Sequence, residues 1–417
     1  MAVKFTSPPK QLFECRDCPA RCCRVPWSIR FTADEIARYA DEAWIRERAG
    51  DDGMKVLMGG ILPMREHERR LQCVFLDDDH LCAMQKEFGH SFIPRACQAF
   101  PFGFQRNEKD VLVAQLSHLC PSIRDNYGLP VAKQLKAKLE QKGEAERMTT
   151  ALSTVNRIIL SRSQYLLAVK MWTTQLSDDR SVAQILADLY DRTLAFEEAL
   201  PGDAEKVKDG QVKTALSNAK TRPSEPLAAL DKPSFHARSL YSYLLGNLSY
   251  PSRVRQPHRV GRAPFGSLHG LRSLANKWAW LRGRGTVDLL FIDQPVKLRR
   301  AAEVAPFLDQ AEGALIRNYL RTVLDRRQLF ATPRYLLDAL IDLCLATVLI
   351  SRFARCRAAA AERSSVSADD VREGISVAEL VVLSHVTLTE QGKTMANLRA
   401  LMLSSRDRLR DLLASEV

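Results

Sequence analysis

Eight of the ten cysteines lie in the first 120 residues, and four of them crowd into Cys15-Arg16-Asp17-Cys18-Pro19-Ala20-Arg21-Cys22-Cys23. Cys73, Cys82, Cys97 and Cys120 follow. The thiolate is a soft ligand that suits zinc and iron–sulfur clusters, so in a reducing compartment thiols this dense point to metal rather than to disulfides. Spacers of two residues (Cys15 to Cys18) and three (Cys18 to Cys22) let a turn present several sulfurs to one centre. Adjacent residues project differently in most backbones, which leaves Cys22 and Cys23 free to serve separate centres. Eight thiols suffice for two four-sulfur sites, or for one such site with thiols to spare. The competing reading is reduced cysteine that merely fills a core. It is the favoured reading for Cys344 and Cys356, each alone on an apolar helix face.

Spacing leaves zinc and a 4Fe-4S cluster both open. The order x2 then x3 reverses the Cys-x3-Cys-x2-Cys pattern associated with radical chemistry on S-adenosylmethionine, and no ferredoxin-like run is present. His67, His80, His90 and His118 lie near the cysteines and are candidate ligands or supporting groups, although a lone histidine is more often surface or core. Asp77, Asp78, Asp79 and Glu87 neighbour the cysteines as well. They read either as a base or as the solvated tip of a hairpin.

These residues need elements to hold them. Thr32-x-x-Glu35 is a capping-box pattern that opens a helix through about Arg48, with turns expected at Asp51-Asp52-Gly53 and at Gly59-Gly60. Residues 73–76 read as a strand, and the acidic turn after it returns the chain at Cys82, bringing Cys73 and Cys82 together. Residues 27–31 and 111–116 read as further strands. Beyond Pro130 helical periodicity takes over, in segments near residues 131–146, 152–176, 181–200, 234–249, 304–330, 333–361, 367–385 and 391–415. The fold class expected is mainly α: a small irregular α+β cysteine-rich metal-binding domain (residues 1–130), then an all-α helical body (residues 131–417). An exposed basic loop is expected near residues 251–285.

At 417 residues the chain exceeds what one core usually organises, and an apolar fraction of 46% allows substantial cores. The start shows no apolar secretory segment, so a cytoplasmic location is expected. The longest apolar run, residues 335–350, is broken by Asp338 and Asp342 and falls short of the roughly 20 residues that span a bilayer. It reads as a buried helix, with no membrane partner expected. The net charge of +12 is uneven. Residues 1–130 hold 18 Lys/Arg and 18 Asp/Glu, whereas residues 252–300 hold 11 basic side chains against Asp288 and Asp293. Arginines there alternate with Phe265, Trp278 and Trp280, which raises nucleic acid as a partner, but no recognised nucleic-acid motif accompanies them. Trp278 and Trp280 are two apart, so on a helix they cannot share a face.

Four blocks in order carry a resemblance: Cys15-x2-Cys18-x3-Cys22-Cys23; Cys73-Val-Phe-Leu with its acidic turn to Leu81-Cys82; Pro94-Arg95-Ala96-Cys97-Gln98-Ala99-Phe100-Pro101; and Cys120-Pro121. Together they resemble the bacterial cysteine-cluster family of zinc- or iron-chelating domains, over residues 15–121. The long helical region behind them, with Glu312-x5-Asn318-Tyr319-Leu320, is similar to that of the flagellin lysine N-methylases, which carry such a domain at the N-terminus. That resemblance implies methyl transfer from S-adenosylmethionine to a lysine of a flagellin-like protein, with an iron–sulfur cluster in the site. No Gly-rich βα turn of the common methyltransferase type is present, so a cofactor pocket would be built differently. The alternative class is a non-catalytic zinc- or iron-chelating or structural interaction protein.

Overall fold

The structure, a computed structural model, describes residues 11–15, 20–25, 29–67, 70–106, 112–142, 146–147, 152–153, 158–201, 207–220, 225–228, 230, 233–246, 266–308, 311–326, 334–383 and 406–416. The protein is mainly α. Its N-terminal part mixes short strands and helices: β1 (Leu12–Phe13), a 3-10 turn (Arg21–Arg24), α1 (Ala33–Asp41), α2 (Ala43–Met58), β2 (Met64–His67), β3 (Arg70–Cys73), α3 (Ala83–Phe88), α4 (Arg95–Ala99), β4 (Phe102–Arg106), β5 (Leu112–Leu116), α5 (Pro121–Asp125), β6 (Leu129–Pro130) and α6 (Val131–Lys142). Strands β2 and β3 form an antiparallel hairpin with Met64 opposite Cys73, and β4 and β5 form another with Phe102 opposite Leu116. β1 pairs with β6, tying the start of the described chain to the entrance of α6.

The capping box at Thr32 is present. The Glu35 N–H donates to Thr32 Oγ1 at 3.3 Å, and Glu35 Oε2 accepts the Thr32 N–H at 2.8 Å. The helix it opens ends at Asp41 rather than near Arg48, and α2 begins two residues later. Asp51-Asp52-Gly53, expected as a turn, lies inside α2; the backbone break falls instead on Gly50, with φ at +67°. Residues 73–76 are not a strand either. β3 ends at Cys73, and the chain turns through a single bridge between Leu76 and Cys82.

The helical body follows short strands β7 (Glu146–Arg147), β8 (Leu152–Ser153) and β9 (Ile159–Leu160). A helix from residue 152 was expected, but β8 pairs with β9, and a capping box at Ser161 and Gln164 starts α7 (Arg162–Gln175) ten residues later. Then come α8 (Val182–Glu198), α9 (Asp209–Lys220), α10 (Phe235–Leu244), α11 (Gly266–Arg282), β10 (Thr286–Val287), β11 (Val296–Lys297), α12 (Leu298–Glu303), α13 (Ala311–Arg326), β12 (Arg334–Tyr335), α14 (Leu336–Ala360), α15 (Ala368–Ala378), a π turn (Glu379–Leu383) and α16 (Arg406–Ala414). The body is thus helical with two-residue strands added at its joints. Part of the expected basic loop is helix: α11 takes up residues 266–282, while residues 250–265 lie outside the described residues. Trp280 is 3% exposed and Trp278 55%, on opposite sides of α11.

Helix α14 is the axis of the body. It is apolar nearly all round and buried along almost its whole length, as such a helix must be, packing against α8, α12, α13, α15 and α16. Each fully buried Leu, Ile or Phe on it stabilises by about 1.5–3 kcal/mol relative to exposure. α15 approaches so closely that a Cβ on Gly374 would stand 2.8 Å from the Ile350 carbonyl oxygen. Beyond α16, Glu416 is fully buried; its Oε1 accepts from Arg352 Nε at 3.0 Å and its Oε2 from Ser351 Oγ at 2.7 Å. Among the described residues no helix is long and apolar enough to cross a membrane.

The buried apolar residues form three clusters. One fills the helical body from Ile158 to Leu413; one gathers Ile29, Tyr39, Ile45, Phe75 and their neighbours; a third gathers Phe13, Phe102, Phe104, Cys120 and Leu135.

Candidate metal centre

Five thiols from four segments meet around the second of these clusters. Ala20, in the left-handed region at φ +52°, leads into the 3-10 turn that presents Cys22 and Cys23 with their sulfurs 3.9 Å apart. Cys73 is buried at the last residue of β3, where its sulfur accepts the Phe75 N–H at 3.4 Å. After it the chain turns through Asp77 to His80, closed by the Asp77 N–H on the Leu81 carbonyl (3.0 Å) and the Ala83 N–H on the Phe75 carbonyl (2.8 Å). That closure sets Cys82 at the N-cap of α3. Cys97 rides on α4, whose first amide, Arg95 N–H, donates to Glu35 Oε1 at 2.7 Å. One carboxylate therefore starts α1 and anchors the helix that carries Cys97. Cys23, Cys73, Cys82 and Cys97 all pack in the same apolar cluster.

The electrostatics show how close this company is. Contact with Cys23 and burial push the Cys22 thiol well above its usual value. The Cys22 contact favours the Cys23 thiolate, yet burial and the fields of Cys73, Cys97 and Cys82 leave Cys23 raised. Burial pushes Cys73 and Cys97 well up, and each is raised further by Cys22 and Cys82. Burial also raises Cys82, although the Met84 and Gln85 amides in the first turn of α3 favour its thiolate. Each of these sulfurs thus resists ionising because it is buried and because another sulfur beside it would ionise. A soft cation removes that obstacle, since it binds the thiolate and offsets the mutual repulsion. The donor type and the apolar surroundings fit a thiolate-bound metal. Among the described residues, no group of three or more His, Cys, Asp or Glu side chains is arranged to hold a metal ion.

The other candidates are placed differently. Cys15 is exposed, and its charge acts on Lys138, whose amine is lowered by burial. Cys120 is buried at the N-cap of α5 in the third apolar cluster. Cys18 lies outside the described residues. Cys344 and Cys356 are fully buried in the helical body, where burial raises both, Cys356 to about 12. None of the described cysteines is in a disulfide. His67 is exposed on β2, and His80 meets Arg24 through Nδ1 at 2.8 Å. His90 is lowered by burial and by Lys138.

Asp77 and Asp79 are committed at the hairpin tip. Lys86 pairs with Asp77 at 2.9 Å and with Asp79 at 2.5 Å, and Arg48 also pairs with Asp77. The Lys86 hydrogen bonds are the main cause holding both carboxyls below their usual range. A carboxylate held down in this way is a poor proton acceptor, so the hairpin-tip reading prevails over the base reading for these two. Asp78 and Glu87 are exposed.

Sequence reasoning missed a polar seam between the cysteine region and the helical body. Arg21, just before Cys22, and Arg124, four residues after Cys120, both pair with Glu373 of α15, the latter at 3.0 Å. The Arg21 guanidinium also lies 4.1 Å from the Phe291 ring centroid. Two turns on, Glu379 accepts the His118 N–H at 3.2 Å and the Tyr319 hydroxyl at 2.7 Å, and the His118 ring meets Tyr319 edge-on at 5.2 Å. Burial, then the Glu379 charge, pushes the Tyr319 hydroxyl well above its usual value. Tyr319 was in view only within the pattern from Glu312 to Leu320. Glu373 had no local signal at all.

Comparison of the chain with known protein families, with curated protein sequences and with solved structures finds no match.

Proposed function

We propose that this protein binds a soft metal centre, an iron–sulfur cluster or zinc, through Cys22, Cys23, Cys73, Cys82 and Cys97, with Cys15, Cys18 and Cys120 as further candidate ligands. The observation that carries the reading is the gathering of Cys23, Cys73, Cys82 and Cys97, from four segments, in one apolar cluster, with the Cys22 sulfur 3.9 Å from that of Cys23. Anaerobic purification with metal analysis and an absorption spectrum tests it. Iron with broad visible absorption assigns a cluster, and zinc in a colourless protein assigns the alternative. Metal-free protein that stays metal-free on reconstitution with either ion ends the proposal.

The finer reading is a lysine N-methylase-like enzyme. It rests on the ordered cysteine blocks and on their resemblance to the N-terminal part of flagellin lysine N-methylases. In that reaction the lysine Nζ lone pair attacks the methyl carbon of S-adenosylmethionine, the carbon–sulfur bond breaks, S-adenosylhomocysteine leaves, and a base takes the amine proton. A cluster with an open iron would supply a binding point for the amino acid moiety of the cofactor. The partner would be a flagellin-like protein presenting lysines. Labelled methyl transfer from S-adenosylmethionine to such a protein, lost in Cys73→Ala, is the result expected. The commitment of Asp77 and Asp79 to ion pairs favours a second reading, a metal-holding protein without catalysis. Metal-loaded protein that transfers no methyl group to flagellin would decide for it.

A further inference from the structure

Helix α11 has two apolar faces where a helix packed on one side needs only one. Trp280, with Asn276 four residues before it, is buried against α10, where Tyr241 meets the Trp280 ring at 6.2 Å. On the other side Leu271, Leu274 and Trp278 are 61%, 55% and 55% exposed. Their spacing of three and four residues aligns them in one row about 10 Å long. Arg282, one turn on, lies over the Trp278 ring with its guanidinium carbon 5.1 Å from the centroid, and exposed Arg284 follows. This row belongs to the stretch with 11 basic side chains against two acidic ones.

Charge decides what can cover it. A second copy of the chain would bring arginine against arginine. Nucleic acid would find one exposed ring but no stacking surface on the two leucines, since bases stack on aromatic groups. An exposed row of leucine and tryptophan with Arg282 over the ring and Arg284 two residues on is what the headgroup region of a bilayer accommodates: the apolar side chains enter the acyl boundary and the guanidiniums stay among the phosphates. We propose that α11 rests on an anionic lipid surface, with Leu271, Leu274 and Trp278 entering the headgroup boundary and Arg282 and Arg284 meeting lipid phosphates. This attaches the protein to a membrane without spanning it, and it is independent of the metal centre.

The test is flotation of the full chain with vesicles of phosphatidylcholine, with and without phosphatidylglycerol. The protein is expected to float with the phosphatidylglycerol vesicles and to stay behind with neutral ones. Affinity should fall about fivefold for each of Arg282→Gln and Arg284→Gln, and binding should weaken with salt. Leu274→Ser with Trp278→Ser should abolish flotation while the circular dichroism and melting of the protein stay unchanged, since both side chains are exposed. Equal binding to neutral vesicles, or flotation that survives the double substitution, overturns the proposal. So does a protein that ignores both vesicles, whether it binds single-stranded RNA, captures an acidic amphipathic peptide or dimerises through this face.

Discussion

Arg21 and Glu373 stand 352 positions apart in sequence and form an ion pair that joins the turn carrying Cys22 and Cys23 to α15 of the helical body. Arg124 reaches the same carboxylate from the other side, so two segments of the cysteine region share one anchor. All three side chains are largely buried. Removing the carboxylate would leave the Arg21 guanidinium without its counter-charge, while Arg124 keeps Asp125 at 2.8 Å, and breaking a buried pair in this way costs about 3–5 kcal/mol. Glu373→Gln is therefore expected to lower the unfolding midpoint markedly, measured by denaturant titration followed at both far-UV and metal absorption. An unchanged midpoint would show that the seam adds nothing to stability.

The same carboxylate predicts an acid limb. Burial alone would raise the Glu373 pKa, but Arg21 and Arg124 outweigh it and hold the group below its usual value. A depressed folded-state pKa stabilises the protein above the unfolded value, near 4.3, and this contribution disappears as pH falls through the lower folded value. Melting between pH 7 and acid should accordingly show a loss of stability below about pH 4.3 that is shallower in Glu373→Gln. Parallel pH profiles for the two proteins would count against the pair as the source.

Loss of one clustered thiol should release metal, whereas loss of a core thiol should not. Cys73→Ala is expected to give protein with most of its iron or zinc missing, while Cys344→Ala keeps its metal and loses stability only through the cavity it leaves. Elemental analysis of the two variants, purified side by side, makes the comparison. Equal metal in both would place the ligands elsewhere.

If the thiols bind metal as proposed, Glu35 should affect its retention through the helices it anchors. Its two oxygens hold the Thr32 and Arg95 amides, and so fix the start of α1 and of the helix bearing Cys97. Glu35→Ala is expected to cost about 1–3 kcal/mol and to weaken metal retention against a chelator. Chelator resistance equal to that of the parent would mean that α4 needs no such tether.

The close crossing of α15 over α14 predicts a steric effect. In Gly374→Ala the new methyl would press on the Ile350 carbonyl oxygen, and the repacking should cost about 1–3 kcal/mol with helix content kept. A melt identical to that of the parent would show that the two helices can part freely.

Local signals in the sequence were sufficient where local chemistry decides. Thr32 caps α1 because its hydroxyl reaches the third amide onward, and the capping box forms. The two tryptophans of α11 part to opposite faces because helical geometry allows nothing else. The acidic turn does carry Cys73 round to Cys82, by a bridge at Leu76 rather than through paired strands. What was not legible depends on distant partners. β8 replaces the first turns of an expected helix because it pairs with β9 and, in parallel, with β12, more than 180 residues later. Glycines and arginines read as a loop near residues 251–285, but residues 266–282 form α11, with Trp280 packed on α10. A glutamate in an ordinary amphipathic pattern, such as Glu373, gives no sign that two arginines from elsewhere will close on it.

The burial of Glu416 under Arg352 sets an order of events during translation. The thiol-bearing cluster draws on residues 20–97 and is complete early, whereas α14 lacks its last cover until the segment from Arg406 to Glu416 has left the ribosome. At about 5–20 residues per second the interval is on the order of tens of seconds. During that interval Arg21 and Arg124 wait for Glu373, and the nascent thiols stand without the helical body that later closes behind them.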